Sequence, residues 1–269
     1  MVGAIFAETL RRSWKTALYW GLGIGFMAWL QIIVVQDTTL ITQTAELLES
    51  VPPFLLQMFG GTSDMQFLAT PDGYLALQFF GFILLVFAFY AAVAGLNITA
   101  NDEDSGIMDI FLSLPVVRWQ LVLTRVLAFA LLSALVIGVT LTCMLIGFAM
   151  VPGIFNVEHM ILATFNILPA TLVVLTFTTM AAAIIQRKSG AMALTAAFII
   201  GSYMLDFLAK AAPDTILGTL QKLSFFAYYD SASVVQNGLS PVNILILLAA
   251  SAIFATVAMW RYQHRDIGL

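Results

Sequence analysis

The sequence predicts an all-α integral membrane protein with six transmembrane helices and both termini in the cytoplasm. Composition is the first reason: the 269 residues are 61% hydrophobic and only 10% charged, with a mean hydropathy of +0.98. A soluble domain carries about 25% charged residues, so a water-exposed globule is excluded. The second reason is that the charges cluster, leaving apolar stretches at about 17–35, 75–96, 121–151, 160–185, 191–209 and 242–260. Each approaches or exceeds the roughly 20 residues of a spanning helix, and the lack of period-two alternation excludes a barrel. The third is the charge bias. With the N-terminus inside, Arg11, Arg12, Lys15, Arg118, Arg125, Arg187, Lys188, Arg261 and Arg265 are cytoplasmic, nine of the 11 basic residues; only Lys210 and Lys222 lie outside. That excess sets the orientation.

Residues 1–16 place Val2, Phe6, Leu10 and Trp14 at intervals of four, with Glu8, Arg11, Arg12 and Lys15 on other faces. They form either an amphipathic helix on the inner membrane surface or the overrunning start of the first span. Ala17–Val35 ends without a small-x-small cleavage site, so it reads as a retained span rather than a secretory leader. Within it, Gly21 and Gly25 form a small-x-x-x-small pair that lets a neighbouring helix approach closely. Residues 37–73 form the first outer loop. Leu47, Leu48, Val51, Leu55, Met58 and Phe59 share a helical stripe there, broken at Pro52-Pro53 and ended at Gly60-Gly61. Residues 210–241 form the second outer loop, whose Phe225, Phe226, Tyr228 and Tyr229 suit the membrane interface. The single Cys143 excludes an internal disulfide and reads as a small packing residue.

The cytoplasmic segment 97–120 is the most informative. Asp102, Glu103 and Asp104 precede a short helix, where negative charge favours the positive end of the helix dipole. Ile107, Ile110, Phe111 and Leu114 then recur at i, i+3, i+4 and i+7, one apolar stripe. Pro115 ends it, and Arg118 with Trp119 marks re-entry to the interface. A connection without a task is commonly a few residues long; this one is built to press an apolar face into a partner's groove.

The run Asp102–Arg118, continuing Trp119-Gln120-Leu121-Val122-Leu123, resembles the signature of the type-2 permeases of ATP-binding-cassette (ABC) transporters. Asp104, Gly106, Leu112, Ser113, Pro115, Val116 and Arg118 match its pattern. Ile107 stands where Thr or Ser is common, Val117 where Ser or Thr is, and Arg125 where Lys is frequent. The ending Arg265-Asp266-Ile267 is also similar. The resemblance implies a single transmembrane permease domain over 1–269, with 97–120 as a coupling segment that fits a cleft in a cytoplasmic ABC ATPase. Asp104, Gly106, Ile107, Ile110, Phe111, Leu114, Pro115 and Arg118 become the expected ATPase-docking residues. It further implies an exporter in the plasma (inner) membrane, paired with a second permease copy or a related chain.

None of Lys15, Lys188, Lys210 and Lys222 stands in a P-loop. ATP and Mg are therefore expected on the partner ATPase, with no cofactor, metal or catalytic residue in this chain and no nucleic-acid partner. Gly21-Leu22-Gly23-Ile24-Gly25 lies inside a span with no strand before it, so it reads as packing rather than phosphate binding. Asp206 is the one acid near the interior of a span, and Lys210 follows one turn later, so the pair reads as an interfacial ion pair rather than a proton or substrate site. Gln31, Gln78, Asn97, Thr99 and Asn166 are expected to make interhelical hydrogen bonds. The alternative function is an ion- or proton-driven secondary transporter. It would want ionisable groups near the midplane and inverted repeats, and the sequence offers neither.

Overall fold

The computed structural model describes residues 2–35, 65–101, 117–185 and 187–264, and every regular element among them is helical. Six spans are long and apolar enough to cross a membrane. The first is α1 (Val2–Val34). The second is composite: α3 (Pro71–Leu75), a π-helical turn (Ala76–Phe80) and α4 (Gly81–Leu96), preceded by the short α2 (Met65–Leu68). The third to fifth are α5 (Arg118–Met150), α6 (Val157–Ile184) and α7 (Lys188–Ala211). Three short helices follow, α8 (Ile216–Leu220), α9 (Phe226–Tyr229) and α10 (Ser231–Asn237), and then the sixth span, α11 (Pro241–Gln263). The end of the bundle holding the starts of α1, α5 and α7 is called the terminal end below, and the opposite one the distal end.

Hydropathy marks the apolar part of each helix, but the helices run further because their ends are capped. Thr70 caps α3, accepting from Gly73 N at 3.1 Å, and Pro71 occupies the first helical position, where its missing N–H costs nothing. Asn156 caps α6, with Glu158 in the first turn. Residues 2–16 continue into the first span without a break. At 1.5 Å per residue that helix is about 50 Å long, well beyond about 30 Å of hydrocarbon. The stripe expected at 47–59 and the ending at 265–267 lie outside the described residues.

The second and fourth spans are the most enclosed, and the fifth and sixth the least. Because lipid tails are as apolar as side chains, close backbone approach matters more here than hydrophobic burial. Ala17, Gly21, Ile24, Gly25, Ala28 and Ile32 form the buried face of α1, turned to α5. A Cβ on Gly21 would come within 2.8 Å of Val139 Cβ, and one on Gly25 within 2.8 Å of Cys143 Cβ. Gly95 does the same between α4 and α6, where a Cβ would lie 2.6 Å from Thr178 Cβ.

The chain between α7 and α11 departs from expectation. Phe225, Phe226 and Tyr229 do not lie at an interface; they are buried in the bundle core. The segment dips inward because side chains of the spans satisfy its backbone. Asn166 Nδ2 of α6 donates to the Tyr229 carbonyl. His159 Nδ1 lies 2.7 Å from the Val235 carbonyl and carries the proton of that bond. Ser224 Oγ donates to the Ser202 carbonyl of α7 at 2.7 Å. Hydropathy could not show this, since a plug and an interfacial belt use the same aromatic residues.

Candidate functional site: the two anchors of the docking segment

Of the expected docking residues, Asp104, Gly106, Ile107, Ile110, Phe111, Leu114 and Pro115 lie outside the described residues; Arg118 is the first residue of α5. The structure does describe the two anchors between which the segment runs: the end of the second span through Asn101, and the start of α5 from Val117.

The first anchor is tightly held. After Leu96 the helix closes through turns, with Asn97 N donating to the Ala94 carbonyl at 3.1 Å and Ile98 N to the Gly95 carbonyl at 3.2 Å. Ile98, Thr99 and Ala100 are buried, and Asn101 Nδ2 donates back to Asn97 Oδ1. Leu96 and Ala100 pack on Ala181 and Ala182 at the end of α6 and on Ala191 of α7. The small size of these alanines brings three helix ends together.

The second anchor starts at Val117, whose extended backbone (φ −69°, ψ 137°) turns the chain into α5 without a side-chain cap. Trp119 N donates to Gln263 Oε1 at 3.3 Å, tying this start to the end of α11.

Arg125 joins the two anchors. It lies two turns into α5, is buried, and its Nη1 donates to the Ile98 carbonyl at 2.6 Å. A charge-assisted bond of this kind contributes about 1.5–3 kcal/mol, and a buried guanidinium cannot leave its site without a large desolvation change. The sequence held the signal: Arg125 is the one charged residue inside the third apolar stretch, and an ionisable group in a span is a functional candidate by default. Sequence reasoning gave it to the charge count and to the permease resemblance, without a partner.

Two other features bear on function. A cleft of about 50 Å³ opens between α1, α4 and α5, lined in part by Ser13, Thr16, Trp20, Tyr90 and Asn97. That is room for a water or two, far below the roughly 300–1,000 Å³ of a drug-sized ligand site. At the distal end, Lys210 Nζ meets Asp206 Oδ2 at 2.8 Å, while Gln221 Nε2 donates to Asp206 Oδ1 at 2.9 Å. The carboxylate is thus engaged by one cation and one amide. Of the polar residues expected to bridge helices, Asn166 reaches Tyr229, and Gln31 Oε1 accepts from Tyr74 Oη at 3.4 Å. Asn97 instead accepts locally, from Asn101 of the same span.

Six membrane-length helices, with the ends of the second and third tied to each other, define a multi-pass membrane protein. The model of the ABC-2 family transporter proteins matches residues 4–267, and the chain belongs to that family: it is a membrane permease component of ABC-type transport. No curated protein and no solved structure matches it significantly.

Proposed function

We infer that the chain is the membrane-spanning subunit of an ATP-driven exporter, coupled through the segment 97–120 to a separate cytoplasmic ABC ATPase. The observation that carries this reading is the Arg125 clasp, which ties the start of that segment to the helix that follows it. A push on the segment then acts on the second and third spans together instead of bending a loop. The permease contributes the path; ATP and Mg are bound by the partner, since these 269 residues hold no P-loop. Two bundles, a homodimer or a pair of related chains, line the path in the plasma membrane. The terminal end faces the cytoplasm, as the distribution of basic residues favours.

The test is co-purification with a candidate ABC ATPase produced together with this chain, followed by ATPase and export assays on Phe111→Asp and Pro115→Ala. Phe111→Asp puts a charge on the docking stripe and should abolish co-purification at normal membrane abundance. Pro115→Ala removes the helix stop expected from the sequence and should keep assembly while lowering coupled turnover. Full assembly and full turnover in both variants would refute the docking reading.

A further inference from the structure

The segment between the fifth and sixth spans is bound to the second span at that span's one irregular turn. Tyr229 Oη donates to the Phe80 carbonyl at 3.1 Å, both groups being buried. Phe80 closes the π-helical turn Ala76–Phe80. Such turns break the i→i−4 ladder and are found disproportionately where a helix must change shape. The turn lies 5–9 residues from the distal start of the span at Pro71, and Asn166 lies nine residues from the start of α6. At 1.5 Å per residue both are about 8–14 Å down their helices. Ser224–Asn237 therefore reaches well below the helix ends, with polar partners at that depth on three different spans. The backbone records tension at the same place. Asp230, directly after Tyr229, is the only non-glycine residue with positive φ among those described, at 23°. Left-handed backbone of this kind persists only where packing holds it.

The other end of the same span is the first anchor. From Phe80 the rod α4 runs about 24 Å to Leu96 at 1.5 Å per residue, with Gly95 seated against α6 on the way, and turns lead on to Ile98, the acceptor of Arg125.

We propose that Ser224–Asn237 is a strap held into the distal end of the bundle, and that the bond from Tyr229 Oη to the Phe80 carbonyl is its latch, released by movement of the second span. The proposal rests on the exporter reading for the purpose of that movement; the latch itself does not. Shift of α4 displaces the Phe80 carbonyl, Tyr229 loses its acceptor, and the strained turn at Asp230 relaxes with the strap withdrawn.

The experiment uses the full chain in liposomes, with Cys143→Ala as background and Val234→Cys, buried within the strap itself, as reporter for a membrane-impermeant maleimide. Tyr229→Phe keeps the ring and removes the bond. It should speed labelling about two- to tenfold, the factor by which losing one ordinary hydrogen bond enriches the open form. Tyr228→Phe is the control: its hydroxyl donates at 2.8 Å to the Lys222 carbonyl, within the same loop, and its loss should leave labelling unchanged. An unchanged rate in Tyr229→Phe, or an equal rise in Tyr228→Phe, overturns the latch. Hydrogen exchange on the unmodified chain gives a reading free of any folding defect. Amides of 76–80 and of 225–235 should open with one rate, and rates differing more than about tenfold would also sink it. Neither measurement involves an ATPase, so a failed docking reading leaves both intact. In the assembled complex, ATP should accelerate labelling in the background chain but not further in Tyr229→Phe. A complex that hydrolyses ATP with no change in labelling refutes release by the second span.

Discussion

The contact between α1 and α5 gives the sharpest test of how the bundle is held together. Adding a Cβ at Gly25 would place it 2.7 Å from Cys143 Sγ, 2.8 Å from Cys143 Cβ and 3.3 Å from Thr140 Cα. Unstrained carbon contacts lie at about 3.5–4.0 Å. Rotating Cys143 removes only the Sγ contact, because its Cβ is fixed to the backbone. The two helices must part by about 1 Å over this stretch, and overpacking of that size costs about 1–3 kcal/mol. Any Gly→Ala change in a helix also gains up to about 1 kcal/mol of propensity, so the clash is isolated by a neighbour that lacks it. Gly23 has nothing within 4 Å of its Cβ position. Gly25→Ala should therefore be less stable than Gly23→Ala by about 1–3 kcal/mol, measured as unfolding by a denaturing detergent titrated into mixed micelles and followed by circular dichroism. Combining Gly25→Ala with Cys143→Gly, which removes both atoms nearest the new methyl, should show a favourable coupling energy in a double-mutant cycle. A difference between the two alanine variants below about 0.5 kcal/mol, or a cycle with no coupling, would show that the close approach is not what stabilises the pair.

Other perturbations separate the anchors from the rest. Arg125→Met keeps much of the side-chain length and removes the donor to Ile98; it should lower stability by about 1.5–3 kcal/mol and reduce export per ATP hydrolysed, while the ATPase still co-purifies. Unaltered coupling would mean that the clasp serves folding alone. Asp206→Asn should leave export largely intact. Lys210 is partly exposed, so its bond to Asp206 is screened and contributes under about 1 kcal/mol, and the amide keeps a polar partner for Gln221. Abolished export at normal membrane abundance would instead make Asp206 a transport residue. Gly95→Leu should act like a wedge between α4 and α6 and lower membrane abundance, scored by immunoblot against Gly201→Leu, where nothing stands within 4 Å.

What could be read in the sequence follows from which physical term wrote it. Lipid demands a long apolar run for each span, so all six spans were visible as composition. The close approach at Gly21 and Gly25 was visible because small residues at i and i+4 have one strong use inside a span. The Asp206–Lys210 pair followed from helical spacing. The composite second span was not visible. Nothing in Ala76-Leu77-Gln78-Phe79-Phe80 marks a π-turn, because its register is decided by what packs on it. Burial of Phe225, Phe226 and Tyr229 was equally hidden: it depends on Asn166 of α6, 63 residues earlier than Tyr229 in the chain. The role of Arg125 was half visible, as a charge out of place, but its acceptor is a backbone carbonyl, and every residue type has one.

The arrangement of the second span explains why a small movement at one end of this bundle can matter at the other. The span is enclosed, seated on α6 through Gly95, clasped to α5 through Arg125 near its terminal end, and bonded to the strap through Phe80 near its distal end. Close-packed contacts of this kind do not deform continuously; they hold or they shift to another packing. Between the two bonds, α4 is an uninterrupted helix of 16 residues with no proline or internal turn, so little of a displacement is absorbed along its length. The span departs from regular α-helix at two places, the π-turn beside the latch and the turns at 97–99 beside the clasp. On the proposed coupling, a displacement of the second span travels along α4 and meets the strap at the π-turn.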